Sequence, residues 1–442
     1  MTPAARRAAP AVAELGPLMG PYLARQRWAD RGQLESGTVE TLDSEVVVPG
    51  PPSVLWMLVR AGEAVYQVTV GLRPLGDEIA LGDRDIIGEV TGPDGPLLAY
   101  DALVDPVLAR PLVRLTGADV ADGAFVRSVG AEQSNSSLVV NEKLIVKFFR
   151  RLRRGPNPDV ETTLALDAVG FNHVAPPMGR WRRGDYDLAV AQEYLAGGTE
   201  GWALALTSLR DLYGCDEDDP ASAGGDFAGE AGRIGEMTGR LHLAMAEAFG
   251  THPGDVGAWV SGLTVRLESL GLDRRLVERA HRLVERVGGL ADPGPSIRVH
   301  GDYHLGQVMR TDVGWFVLDF EGEPERPLEE RTRPTSALKD VGGMLRSLDY
   351  AAAVSGAERE AKAQRVVGER GRAWEQRNRQ AFLRGYASVP GIDALLPAGD
   401  GQGVLGPFFE LDKALYELAY ERSFRPEWER IPAEAIERLL AG

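Results

Sequence analysis

The 442 residues carry 49 basic and 65 acidic side chains, a net charge of −16, with 44% hydrophobic residues and a pI near 5.0. At about 150 residues per domain this length predicts two or three domains with real cores and excludes a small stapled scaffold. An acidic surface repels phosphodiester backbones and anionic lipid headgroups, so neither nucleic acid nor a membrane is an expected partner.

The cations are lopsided: 44 are Arg and five are Lys, namely Lys143, Lys147, Lys339, Lys362 and Lys413. An Ala-, Gly- and Arg-rich composition accounts for the bias, but not for where the lysines sit. Cys215 is the single cysteine, so no intramolecular disulfide and no Cys-based metal site is available, which suits a reducing cytoplasm. The opening MTPAARRAAPAVAELG lacks an uninterrupted apolar core, and no later window reaches the roughly 18 apolar residues of a membrane span. A cytoplasmic location is expected.

In chain order, residues 1–100 read as strand-rich, with VLWMLVR (54–60) and AVYQVTVGL (64–72) as β-type runs around the turn residues Ala61, Gly62 and Glu63. DALVDPVLARPLVRL (101–115) has apolar residues at helical spacing despite Pro106 and Pro111, and predicts a short broken helix. SLVVNEKLIVKFF predicts two strands around Asn141 and Glu142, followed by a helix over 158–169 with Asp159 and Glu161 in its first turn, then a strand over 186–194. Beyond residue 200 the spacing turns helical, with amphipathic segments at 203–213, 227–248, 255–269, 273–288, 335–353, 359–389 and 405–422. One strand-like island, 296–324, interrupts them.

The island carries the chemistry. VHGDYHLGQVM delivers His300, Asp302 and Gln307 into one loop, and WFVLDFEGEP ends a buried-type strand in Asp319, followed by Glu321. A loop carboxylate, an amide five positions on and a carboxylate closing the next strand are the parts that phosphoryl transfer needs. One Asp orients and deprotonates a hydroxyl while the other, with the amide oxygen, holds Mg²⁺. Lys147 lies in the apolar run LIVKFF, where an ammonium is costly unless paired, and a phosphate is the expected partner. Bland alternatives stand beside each assignment. Lys147 could snorkel from an edge strand, Glu161 could be a plain helix-start acid, and Asp319 with Glu321 could be an ordinary turn. His300, Asp302 and His304 could chelate zinc, although a structural zinc site wants four protein ligands.

The HGDxHxxQ…DFE arrangement resembles the catalytic and metal-binding loops of the aminoglycoside-phosphotransferase-like branch of the protein-kinase-like fold. AEQSNSS (131–137), VKFFRR (146–151), NPDVE (157–161), EGWALALTSLRDLY (200–213), GGDFAGEA (224–231), DFEGEPERPLEER (319–331), DVGGMLRSLDY (340–350) and ELDKALYELAYE (410–421) are similar to strings in actinobacterial maltokinases and glucosamine kinases. The resemblance runs from about residue 100 to the end. RQRWADRG (25–32) is similar to a maltokinase motif, with Ala29 where an aromatic is expected.

The resemblance implies an α+β, bilobal protein-kinase-like fold. It divides into an N-terminal β-rich cap over 1–100, a β-sheet nucleotide-binding lobe over 101–198 and a mainly helical C-lobe over 199–442 that holds the catalytic loop and sugar site. It implies that Gln133, Ser134, Asn135, Ser136 and Ser137 lie over the ATP phosphates, that Lys147 pairs with them and that Glu161 holds Lys147. Glu193, Tyr194 and Leu195 would hydrogen-bond adenine through their backbone. Asp302 becomes the catalytic base, and Gln307 and Asp319 the magnesium ligands. His304, Glu417, Tyr420 and Trp428 become sugar contacts beside Asp302. Lys413, Glu417 and Tyr420 share a helical face, and in the bland alternative Tyr416 and Tyr420 are core aromatics while Glu417 pairs with Lys413 at i, i+4.

ATP and Mg²⁺ are thus the expected cofactors, a monomer or weak homodimer the expected state, and transfer of the γ-phosphate to a sugar hydroxyl the expected reaction. The acceptor stays open between glucosamine at its 6-hydroxyl and maltose at its 1-hydroxyl. Glucosamine is preferred because an ammonium suits a site lined by Asp302 and Glu417, and another sugar or an aminoglycoside is the remaining option. A nucleotide-binding pseudokinase is the alternative of a different class, although the Lys, base and metal positions are all present.

Overall fold

The structure, a computed structural model, describes residues 3–36, 38–129, 135–215, 219–323, 326–357 and 364–441. The chain divides into two compact units, one of residues 1–161 with 175–196 and one of residues 162–174 with 197–442.

The first unit is built on two antiparallel sheets. It contains α1 (Pro3–Ala24), α2 (Arg31–Ser36), β1 (Val39–Val48), β2 (Ser53–Ala61), β3 (Ala64–Pro74), β4 (Ile86–Gly92), β5 (Gly95–Asp101), α3 (Pro106–Arg114), β6 (Val126–Ser128), β7 (Asn135–Val140), β8 (Leu144–Phe149), β9 (Arg151–Leu152), the start of α4 (Pro158–Ala168), β10 (Pro177–Arg183) and β11 (Tyr186–Glu193). One sheet runs β1-β2-β3-β5-β4 with β9 added on β3, and the other runs β10-β11-β8-β7-β6. The expected strands at 54–60 and 64–72 are β2 and β3, joined residue for residue from Ser53 opposite Leu72 to Ala61 opposite Ala64.

The helix α1 departs from the strand-rich expectation for residues 1–100. Its Leu15, Met19, Tyr22 and Leu23 recur at intervals that share one helical face, and they are buried with Leu55, Met57, Tyr66 and Val68 of the sheet. Pro10, Pro17 and Pro21 disguise it in the sequence. The two sheets share a core in which Val54, Trp56 and Tyr100 are buried with Val146, Phe148 and Leu188. Gln67 bridges them, with Nε2 donating to the carbonyls of Phe149 at 2.6 Å and Leu188 at 2.5 Å.

The second unit is helical around two small ribbons. After β12 (Thr199–Glu200) it contains α5 (Gly201–Gly214), α6 (Ala228–Phe249), β13 (Thr251–Pro253), α7 (Val256–Ser269), α8 (Arg274–Gly288), β14 (Pro295–Ile297), β15 (Val308–Thr311), β16 (Gly314–Val317), α9 (Leu328–Arg331), α10 (Leu338–Ala357), α11 (Gln364–Ala387), α12 (Gly401–Phe424) and α13 (Arg430–Ala441). β12, β15 and β16 form a three-stranded sheet, and β13 pairs with β14. Long apolar helical faces meet in one core that includes Leu209, Ile234, Leu241, Met344, Trp374, Phe382, Phe408 and Leu415. The helix α10 lies against the loop between β14 and β15: a Cβ on Gly343 would stand 2.6 Å from the carbonyl oxygen of Tyr303, so only glycine permits that approach. Among the described residues no helix is long and apolar enough to cross a membrane.

Candidate active site

In the first unit, β7 and β8 form a hairpin whose turn residues Asn141 and Glu142 take φ of 51° and 52°, as a two-residue β-turn of that hand requires. Its register sets Ser137 opposite Lys147. Of the five residues expected over the phosphates, Gln133 and Ser134 lie outside the described residues. Asn135, Ser136 and Ser137 open β7, with Asn135 and Ser137 buried. The Ser136 hydroxyl accepts from Arg150 Nε at 2.8 Å, and Arg150 is itself buried against Asp101. Lys147 Nζ donates to Asp159 Oδ2 at 3.1 Å, with the two side chains 14% and 6% exposed. A near-buried ammonium in an apolar strand therefore has a carboxylate partner, and the acid at that contact is Asp159, a residue that sequence reasoning had placed only as a helix-start acid. Glu161 follows half-buried on the same helix. At the end of β11 the N–H groups of Glu193 and Tyr194 donate to the carbonyls of Pro176 and Lys143 at 3.0 and 2.9 Å. Both N–H groups are thus engaged within the fold, which leaves the two carbonyls, that of Tyr194 already accepting the Ala196 N–H at 2.9 Å, and the backbone of Leu195 to face an adenine.

In the second unit the loop between β14 and β15 is fastened from below. The carboxylate of Asp340, on α10, accepts the His300 N–H at 2.8 Å on Oδ2 and the Gly301 N–H at 2.9 Å on Oδ1. His242 Nε2 stands 3.2 Å from the same Oδ2. Burial pushes the Asp340 carboxyl up, but His242 and these N–H donors outweigh it and hold it below its ordinary value. His300 is 1% exposed. Its Nδ1 accepts the Asp302 N–H at 3.3 Å, so the proton sits on Nε2, which donates to the Leu318 carbonyl at 2.8 Å. Both ring nitrogens are engaged, and zinc chelation by His300 is excluded.

Asp302 is reached from α12. Lys413 Nζ donates to Asp302 Oδ1 at 2.8 Å and to Glu323 Oε1 at 3.2 Å. Glu323 is buried, and Arg326 and Lys339 also face it, the latter at 3.9 Å. Burial alone would raise the Asp302 carboxyl, but the Lys413 charge, aided by His304 and His300, holds it well below the usual carboxylate range. Burial likewise opposes the Glu323 charge, yet Lys413, Lys339 and Arg326 bring it down to about 2. Lys413 in turn is held above the usual amine range by Asp302 and Glu323 against its own burial. His304 accepts the Gly306 N–H on Nδ1 at 3.0 Å, which puts the proton on Nε2, 3.9 Å from Asp302 Oδ2. Burial keeps this ring below its ordinary pKa despite Asp302.

Gln307 and Asp319 converge as the spacing predicted, with Gln307 Nε2 at 3.5 Å from Asp319 Oδ2. Asp319 has φ +59°, a left-handed backbone that a non-glycine residue adopts at a cost and that recurs at functional sites. A carboxylate and a side-chain amide that presents oxygen when turned over are the hard donors that magnesium takes, so the donor set fits that ion.

The expected sugar contacts on α12 are less tightly gathered. Glu417 Oε2 accepts from Arg346 Nε at 3.1 Å and from the guanidinium's second nitrogen at 2.7 Å. Its partner is therefore Arg346 and not Lys413, contrary to the i, i+4 alternative. Burial raises its carboxyl despite Arg346. Tyr416 and Tyr420 are half-exposed and stack at 6.5 Å between ring centroids, so neither is a core aromatic. Trp428 stacks on Tyr350 at 6.0 Å, and the Tyr350 hydroxyl donates to Glu421 at 2.7 Å. Glu421 is eight residues beyond Lys413, roughly 12 Å along a helix. The structure thus gathers His304, Lys413 and Asp302, and places Trp428 toward the far end of α12.

Residues 22–105 match the maltokinase N-terminal cap domain and residues 178–378 match the phosphotransferase enzyme family. With the loop chemistry above, these matches make the chain similar to the maltokinase and glucosamine-kinase group of kinase-like phosphotransferases. It is 28% identical over 333 residues to a glucosamine kinase of Mycolicibacterium smegmatis, covering 71% of this chain and 79% of that one. It is 29% identical over 368 residues to a glucosamine kinase of Streptacidiphilus jiangxiensis, covering 76% and 77%. Its fold is that of a glucosamine kinase solved in complex with glucosamine, ADP and inorganic phosphate, at a TM-score of 0.65 and 24% identity over 91% of this chain and 94% of that one.

Proposed function

We propose that the protein is an ATP-dependent glucosamine kinase, with Asp302 as the base that receives the proton of the 6-hydroxyl. The observation that carries this reading is the placement of Asp302, whose Oδ1 is held by Lys413 at 2.8 Å while Oδ2 stands 3.9 Å from His304 Nε2, beyond hydrogen-bond reach. One oxygen is fixed and the other faces an acceptor hydroxyl. The 28% and 29% identical glucosamine kinases support the choice of sugar.

In this reading the sugar oxygen bonds to the γ-phosphorus as the bond from that phosphorus to the β-bridging oxygen breaks. ADP leaves, and the hydroxyl proton passes to Asp302 Oδ2. Lys147, anchored by Asp159, pairs with the α and β phosphates, beside the opening residues of β7. The adenine edge is met by the Glu193 and Tyr194 carbonyls and by Leu195. Gln307 and Asp319 would hold Mg²⁺, which would supply neutralisation of phosphate charge when bound. His304, neutral with Nε2–H toward the acceptor, orients the sugar. Glu417 and Tyr420 border it further along α12. An acidic chain repels free ATP⁴⁻, so the magnesium complex and the local cation at Lys147 are requirements of the mechanism.

Maltose is retained as a second reading because residues 22–105 match a maltokinase cap. Purified protein with Mg-ATP and each sugar separately distinguishes them: glucosamine 6-phosphate is the expected product, and maltose 1-phosphate in its place transfers the assignment.

A further inference from the structure

We infer that Lys413 is a positioning residue that fixes the orientation and the ionised state of Asp302, rather than a group that grips the sugar. The inference rests on the reading of Asp302 as the base.

The ammonium is held on two sides. Asp302 Oδ1 lies at 2.8 Å and Glu323 Oε1 at 3.2 Å, with Lys413 13% exposed and Glu323 1%. Glu323 is in turn fixed by Arg326 and faced by Lys339, and Arg326 reaches Asp412 at 3.5 Å. With Arg266 on Asp412 and Glu330 beside Arg326, four cations, Lys413, Lys339, Arg326 and Arg266, thus meet four carboxylates, Asp302, Glu323, Asp412 and Glu330. The ring of Tyr416 covers Lys413 Nζ at 4.7 Å. An ammonium bound by two carboxylates and covered by a ring is not free to follow a substrate.

Asp302 receives the consequence. A carboxylate with one oxygen bound is restricted about its terminal torsion, so the other oxygen keeps one direction. The groups facing Asp302 are Lys413 on α12, Glu323 behind it, and His300 and His304 on its own loop, whose backbone Asp340 holds. Only Lys413 donates a side-chain hydrogen bond to it among the described residues. Sequence spacing hides this arrangement, because 111 residues separate the pair.

The test uses the full-length protein with Lys413→Met, which keeps the stem and removes the charge, and Lys413→Arg, which restores it. Turnover, both KM values, the pH profile of kcat and the melting temperature are measured. Lys413→Met is expected to lower kcat by about 10- to 100-fold, the range of a misoriented general base. KM for ATP should stay within about twofold. The variant should also gain a carboxylate-like acid limb in kcat that the wild type lacks down to about pH 5, and Lys413→Arg should recover part of both. A loss confined to the sugar KM makes Lys413 a sugar contact and overturns the proposal, as does an unchanged kcat with an unchanged profile. Should Lys413→Met fail to fold, Glu323→Gln removes the second anchor of Lys413 while leaving the first. A smaller fall in kcat with the same change in profile is then expected, and wild-type behaviour overturns the proposal. Absence of turnover in the wild type with any sugar refutes the role of Asp302 itself, a separate outcome.

Discussion

Asp340 carries the catalytic loop on its two carboxylate oxygens: the N–H of His300 reaches one at 2.8 Å and the N–H of Gly301 the other at 2.9 Å. The contact fixes the backbone one residue before Asp302. Asp340→Asn turns one acceptor into a donor facing an N–H, which leaves a buried backbone group unsatisfied at about 1–3 kcal/mol. Thermal unfolding should register that loss, and kcat should fall at least about tenfold through displacement of the loop. Wild-type turnover in a folded Asp340→Asn protein would show that the loop does not depend on this anchor.

Asp302→Asn keeps the shape of the side chain and removes its basicity. A fall of about 10²- to 10⁴-fold in kcat is expected, with nucleotide binding measured by calorimetry nearly unchanged, because the base acts in the transition state. Activity close to wild type would remove Asp302 from its role.

Lys147→Met removes the charge proposed to meet the phosphates and strands Asp159, 6% exposed, without the ammonium at 3.1 Å. ATP affinity should drop by about tenfold or more, since hydrogen bonds to charged groups are worth about 1.5–3 kcal/mol. The sugar KM should hold. Asp159→Asn should produce a milder loss in the same direction, and an Asp159→Asn loss as large as that of Lys147→Met would make the carboxylate more than an anchor.

The buried cluster predicts a pH dependence of stability. Glu323 falls from an ordinary 4.5 to about 2. A folded-state value below the unfolded one stabilises fully above 4.5, and that stabilisation is lost as pH falls toward 2. Asp302 and Asp340 are shifted in the same direction. The wild-type melting temperature should therefore drop steeply across this acid window. In Lys413→Met the neutral-pH melting temperature should start lower and the acid drop should be shallower. Parallel curves for the two proteins would contradict the linkage.

Much of the site was legible because its parts lie close in sequence. Asp302, Gln307 and Asp319 bracket two short strands, and Lys147 stands out as an ammonium inside LIVKFF. The supports were not legible, because each acts across the fold: Asp340 holds residues 39 and 40 positions away, and Glu323 works through Lys413, 90 positions away. Helical spacing suggested that Glu417 pairs with Lys413. Tertiary contacts override it, since two nitrogens of the Arg346 guanidinium donate to one Glu417 oxygen and Lys413 is taken up by Asp302 and the buried Glu323. In the first unit the prolines of α1 masked a helix whose buried face is plain once Leu15, Met19 and Tyr22 are seen against the sheet.

The most direct test is the phosphorylation of glucosamine by the purified protein with Mg-ATP, with product identified by mass and by the position of the new phosphate. Glucosamine 6-phosphate, formed with a higher kcat/KM than any maltose product and lost in Asp302→Asn, is the predicted result. A preference for maltose, or no sugar phosphate above the rate without enzyme, would contradict the account.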